Sequence, residues 1–111
     1  MQARVNLARA LLVQPQLLIL DEAFTSLDLP VKMRILSDLY TLWQEQRFTL
    51  LAVTHDPKEA LFLADRILLL SKRPATIKQS IPVPDMERDI SSPQFLQQES
   101  QLIHTLCEND K

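Results

Sequence analysis

Three short apolar runs, Leu17 to Leu20, Thr49 to Val53 and Ile67 to Leu70, stand out from a chain whose other apolar positions recur mostly at helical spacing. Such runs are too short for helices and read as strands; the unbroken first run suits a parallel sheet covered on both faces. Before it, apolar residues at 5, 8 and 12 and at 7 and 11, among the helix formers Ala3, Arg4, Leu7, Ala8, Arg9 and Ala10, predict a helix from Met1 to Val13 that Pro15 ends. That helix opens without a Ser, Thr, Asp or Asn to cap it. Asp28 can cap the next helix, with Pro30 tolerated in its first turn, and Leu36, Leu39, Tyr40 and Trp43 then form one core-facing stripe. Asp56-Pro57-Lys58-Glu59 has the layout of another helix start.

Beyond Arg73-Pro74-Ala75 the period changes. Ile77, Ile81 and Val83 share one face of an alternating segment that Pro82 confines to a sheet edge, paired near Ile67 to Leu70. Pro84 to Ser92 reads as a polar connector, and Ser92-Pro93 opens a final helix with Phe95, Leu102, Ile103 and Leu106 directed inward. The order of helices and strands predicts an α/β fold with a mainly parallel sheet, flanking helices and a C-terminal helix.

Composition narrows the function classes. At 111 residues the chain is one domain at most. Twelve basic against fourteen acidic side chains give a net charge of -2, so no basic field points to nucleic acid or to an anionic membrane. One cysteine, Cys107, excludes a disulfide framework and fits a reducing cytoplasm. No apolar run approaches the ~20 residues of a spanning helix, and the N-terminus lacks a signal-peptide layout. There is no glycine, although average usage of about 7% would supply roughly eight. A phosphate-cradling GxxxxGK(S/T) loop is therefore absent from these residues.

The candidate chemistry lies at strand ends. In open α/β sheets, ligands bind beyond the carboxyl ends of the strands. Asp21, Glu22 and His55 all occupy such ends, on two strands that the pattern places near each other. Acids at one strand end are ordinary where a chain leaves the core; acids and a histidine converging from two strands point to a site.

These residues also carry a family resemblance. LLILDEAFTSLD, Leu17 to Asp28, resembles the Walker B strand and D-loop of an ABC-type ATPase, and TLLAVTHDPKEALFLADRILLLS is similar to the family's H-loop region. The leading MQARVNLARAL resembles the helix after the LSGGQ signature, with Met1 at the motif's last position and Gln2 following it. SKRPATIKQSIPVP is similar to the ATPase subunits of importers for nitrate, sulfonates, taurine or thiamine-precursor pyrimidines, from which Ala23 departs where many carry proline. The resemblance covers residues 1–83, expected to be the C-terminal half of an ABC ATPase domain, a P-loop NTPase; residues 84–111 would be a connector and C-terminal helix.

The resemblance implies ATP as substrate and Mg²⁺ as cofactor, with Asp21 holding the metal through its water shell. It implies that Glu22 orients and helps to deprotonate the attacking water, and that His55 hydrogen-bonds the γ-phosphate. Ser26, Leu27 and Asp28 would form the D-loop, which in the family reaches across a dimer to a second ATPase subunit. His104 has no such context and reads as a surface position, while Arg4 and Arg9 read as salt-bridging or solvated.

Walker A, the adenine-stacking aromatic, the Q-loop glutamine and the leading signature glycines normally lie N-terminal to the matched motifs. Met1 thus resembles an internal methionine, and the chain a truncated gene product, a misplaced start or one piece of a split subunit. Alone it is expected neither to bind nor to hydrolyse ATP, and to expose apolar edges that favour association. The reading these observations favour is the energy-coupling subunit of a membrane importer, docked to a transmembrane permease on the cytoplasmic face and served indirectly by a periplasmic or surface solute-binding protein. A non-enzymatic remnant that pairs with another ATPase domain is a second reading, and a soluble ABC-type ATPase of DNA repair or chromosome maintenance a third. An in-frame LSGG and GxxxxGK(S/T) upstream would separate a complete ATPase from a remnant, and a neighbouring permease gene would separate importer from repair enzyme.

Overall fold

Seven elements follow one another among the described residues: β1 (Leu17–Asp21), α1 (Leu29–Gln46), β2 (Thr49–Val53), α2 (Pro57–Leu63), β3 (Arg66–Leu70), β4 (Ile77–Pro82) and α3 (Pro93–Asn109). The computed structural model describes residue 9 and residues 16–71 and 76–109. The predicted helix from Met1 to Val13, Arg9 excepted, and the Arg73-Pro74-Ala75 turn lie outside the described residues. The chain divides into two compact units, Met1–His55 and Asp56–Lys111.

In the first unit β1, α1 and β2 form a βαβ unit. The strands pair in parallel from Leu17 opposite Thr49 to Asp21 opposite Val53, and α1 spans the crossover such pairing requires. α1 starts where Asp28, in extended backbone, accepts from the Val31 N–H through Oδ1 at 3.1 Å, with Pro30 in the first turn. It ends where Arg47 turns left-handed, at φ 53°, and donates its N–H to the Trp43 carbonyl at 2.8 Å. Leu18, Phe24, Ile35, Leu36, Leu39 and Phe48 are buried. Tyr40 and Trp43, expected in the core, are half-buried instead; their rings stack 6.1 Å apart and the Arg47 guanidinium lies 4.6 Å over Trp43.

β1 is not covered on both faces. The register places Leu17 and Ile19 on the same face as Leu51 and Val53, and all four are exposed, Ile19 by 58%. A run of leucine and isoleucine marks a strand but does not state which faces are covered.

In the second unit β3 and β4 form an antiparallel hairpin, closed by Ser71 N–H donating to the Thr76 carbonyl at 2.8 Å and Thr76 N–H donating to Ser71 Oγ at 2.9 Å. The mainly parallel sheet expected from the sequence is therefore formed only in part: the described residues make one parallel pair and one antiparallel pair. A short connection between neighbouring strands favours a hairpin, and apolar runs do not encode which strands pair. Ile81 sits opposite Ile67 as the edge-strand reading expects, but a bulge between Leu69 and Leu70 leaves Ile77 opposite the exposed Leu70, and Ile77 is itself 61% exposed. Ile77 and Ile81 thus do not share a face.

α2 begins at Asp56, whose Oδ1 accepts from the Lys58 N–H at 2.9 Å ahead of Pro57. α3 begins at Ser92, whose Oγ accepts from the Phe95 N–H at 3.2 Å. The two helices pack together, tied by Lys58 Nζ to Glu99 Oε2 at 3.3 Å. Leu61, Phe62, Ile67, Leu69, Met86, Phe95 and Leu102 are the buried apolar residues of this unit. Ile103 and Leu106, expected inward, are exposed, because the buried stripe of α3 runs through Phe95 and Leu102 and leaves these two to one side of it.

Candidate functional site

Parallel pairing brings the carboxyl ends of β1 and β2 to the same end of the sheet, with Asp21 opposite Val53. Glu22 follows Asp21 directly and is not extended: its φ is 49°, in the left-handed region that a residue with a Cβ enters at a cost of about 1–3 kcal/mol. Two hydrogen bonds hold it there. Its N–H donates to the Val53 carbonyl at 2.8 Å, which ties the end of β1 to the end of β2, and its carbonyl accepts from Thr25 Oγ1 at 3.2 Å. The turn is anchored by Phe24, 2% exposed, and tightened by the Leu27 N–H donating to the Phe24 carbonyl at 3.2 Å.

The kink sends the Glu22 side chain toward β2. Its Oε1 lies 2.8 Å from Nε2 of His55, the second residue beyond β2. The imidazole is 92% exposed. Oε1 is shielded from solvent, and its 2.8 Å approach to His55 Nε2 makes an ion pair when the imidazole is protonated. A carboxylate partly open to solvent can accept a hydrogen bond or a proton, and the imidazole beside it is exposed.

Asp21 is exposed at the strand end. Among the described residues no cluster of three or more His, Cys, Asp or Glu could enclose a metal. A single exposed carboxylate suits Mg²⁺, which keeps several waters and takes one or two protein carboxylates together with phosphate oxygens. The exposed Asp21 carboxylate could hold such an ion through coordinated water.

Of the other expected site residues, Ser26 and Asp28 are exposed and Leu27 is half-buried, all within the turn between β1 and α1. The structure gives Asp28 the helix cap described above. Met1 and Gln2 lie outside the described residues. His104 sits on the surface of α3 as expected, 3.1 Å from Glu108. The sequence reading missed Thr25 and Phe24; the one aromatic residue of the turn was the available signal for an anchor.

No protein-family model matches the chain. Relatives are numerous among curated proteins. It is 41% identical over 103 residues to a nitrate import ATP-binding protein of Synechococcus elongatus, covering 87% of this chain and 38% of that one. It is 43% identical over 101 residues to a bicarbonate transport ATP-binding protein of the same organism, covering 86% and 36%. An aliphatic sulfonates import ATP-binding protein of Bacillus licheniformis is 41% identical over 96 residues, covering 86% and 38%. The chain thus spans under two fifths of the length of these three relatives.

Proposed function

We propose, on the premise that the chain is homologous over most of its length to the ATP-binding subunits of ABC transporters, that it supplies the hydrolytic half of an importer's ATP site. The observation that carries this reading is the meeting of Asp21, Glu22 and His55 at one end of a parallel strand pair, with Glu22 and His55 2.8 Å apart.

Each residue has a role its surroundings permit. Asp21 would hold Mg²⁺ through coordinated water, and the bound ion would offset charge on the phosphate oxygens. Glu22 would accept a hydrogen bond, and then a proton, from the attacking water through the accessible part of its carboxylate, the side chain being 37% exposed. His55, exposed beside it, would donate to the γ-phosphate and keep it in line with that water. Phosphoryl transfer asks a protein mostly for positioning and charge compensation, which two strand ends fixed to each other supply.

The 111 residues contain no glycine, so the loop that cradles the phosphates must come from outside this stretch. Residues 1–83 are proposed as the C-terminal part of the ATPase domain and 84–111 as the segment appended to it. Ser26, Leu27 and Asp28 are proposed to meet a second ATPase subunit, with Met1 and Gln2 closing the signature. No helix among the described residues is long and apolar enough to cross a membrane. Attachment to the cytoplasmic face is proposed to run through a transmembrane permease, with a solute-binding protein delivering the solute. The solutes named for the three relatives are all oxyanions, and that class is proposed for this importer.

The test is steady-state hydrolysis by the assembled ATPase carrying Glu22→Gln. Loss of the base is expected to lower kcat by about 10²–10⁴-fold while Mg²⁺-ATP still binds. A variant that hydrolyses ATP at the wild-type rate refutes the assignment.

A further inference from the structure

We propose that Thr25 is a positioning residue for the base: its hydroxyl holds Glu22 in the left-handed conformation that turns the carboxylate toward His55. The proposal rests on the reading of Glu22 as the base. Its own support is geometric. Glu22 has a Cβ and a φ of 49°, a conformation that persists only where its surroundings impose it. Two groups bond its backbone, and they act on opposite sides of the residue. The Val53 carbonyl fixes the Glu22 N–H at 2.8 Å, which places the end of β1 but leaves ψ free to send the chain in other directions. The Thr25 hydroxyl fixes the Glu22 carbonyl at 3.2 Å, and it is the one side chain of the turn for which such a bond to Glu22 is seen among the described residues.

The need for such a bond follows from the side chain. Glu22 Oε1 lies 2.8 Å from His55 Nε2. The side chain can reach that position only from a backbone that points it toward β2, so the conformation of Glu22 is a condition for the pairing. Phe24, buried between Glu22 and Thr25, pins the turn to the first unit but bonds neither backbone group of Glu22. Without the hydroxyl, Glu22 can relax toward negative φ, and the carboxylate then leaves His55.

Thr25 is exposed, so its replacement leaves the core untouched. Three forms of the assembled ATPase decide the matter: wild type, Thr25→Val, which keeps the shape and removes the hydroxyl, and Thr25→Ser, which keeps the hydroxyl. Thr25→Val is expected to lower kcat about five- to tenfold with KM for ATP changed less than twofold, and Thr25→Ser to restore the wild-type value, as loss of one net hydrogen bond predicts. In the same proteins without nucleotide, amide hydrogen exchange at Glu22 should speed up by a similar factor in Thr25→Val and stay at the wild-type rate in Thr25→Ser. An unchanged kcat in Thr25→Val, a loss confined to KM, or an equal loss in Thr25→Ser overturns the proposal. Glu22→Gln, run alongside, separates the two readings: an inactive Glu22→Gln with an unaffected Thr25→Val removes only the role of Thr25, whereas an active Glu22→Gln removes Glu22 as the base.

Discussion

Glu22 and Arg47 are the residues with positive φ among those described, at 49° and 53°, and neither is glycine. A side chain in the left-handed region crowds the following carbonyl at a cost of roughly 1–2 kcal/mol, so each position holds its residue against a local preference. At Arg47 the compensation is visible: the guanidinium lies 4.6 Å over the Trp43 ring, whose other neighbour is Tyr40. Such a contact contributes about 0.5–1 kcal/mol at an exposed site. Arg47→Ala keeps the steric cost and loses the stacking, and is expected to be destabilised by about that amount. Arg47→Gly loses the stacking but also the steric cost, and is expected to stay within about 1 kcal/mol of wild type and above the alanine variant in urea unfolding. Neither left-handed position was legible in the sequence, because the signal for one is glycine and the chain has none. Glu22 was nevertheless legible as a candidate, through its place after an apolar run, and the kink that aims it was not.

Helix starts were the most legible elements, since a cap and its partner N–H lie two or three residues apart. Asp28, Asp56 and Ser92 all accept a backbone N–H at the positions the sequence indicates. Asp28 is the informative case because it has one role that is seen, the cap, and one that is proposed, a contact with a second subunit. Asparagine caps as well as aspartate but carries no charge, so the two roles separate. Asp28→Ala is expected to lower stability by about 1 kcal/mol in chemical denaturation, and Asp28→Asn to leave it near wild type. Any effect of Asp28→Asn on ATP hydrolysis then belongs to the subunit contact; equal destabilisation by both variants refutes the capping account. The less legible elements were those whose environment is set from elsewhere in the chain. α3 carries more apolar positions than one face can bury, and the choice of Phe95 and Leu102 over Ile103 and Leu106 depends on what α3 packs against. Ile77 was misplaced for a similar reason, because a bulge shifts the register only once β3 and β4 have paired.

At the scale of the whole chain, strand identity was legible and strand partnership was not. The apolar runs became β1, β2 and β3, but only β1 and β2 pair in parallel, and they do so with one face of the pair exposed. Parallel strands occur almost entirely where both faces are covered, and a sheet of two strands is marginal alone in water. Leu17, Ile19, Leu51 and Val53 form a contiguous apolar face, which is the kind of surface that draws protein chains together. The 111-residue chain is therefore expected to self-associate as its concentration rises. A lysine in place of Ile19, 58% exposed in the middle of that face, removes apolar area and sets like charges against each other in any face-to-face contact, with little effect on the buried Leu18 face. Sedimentation velocity over a concentration series should show the wild-type chain moving to larger species and Ile19→Lys remaining smaller at every concentration. Equal association by the two would mean that the contact forms elsewhere, with the exposed Leu68, Leu70 and Ile77 of the hairpin the next surface to alter.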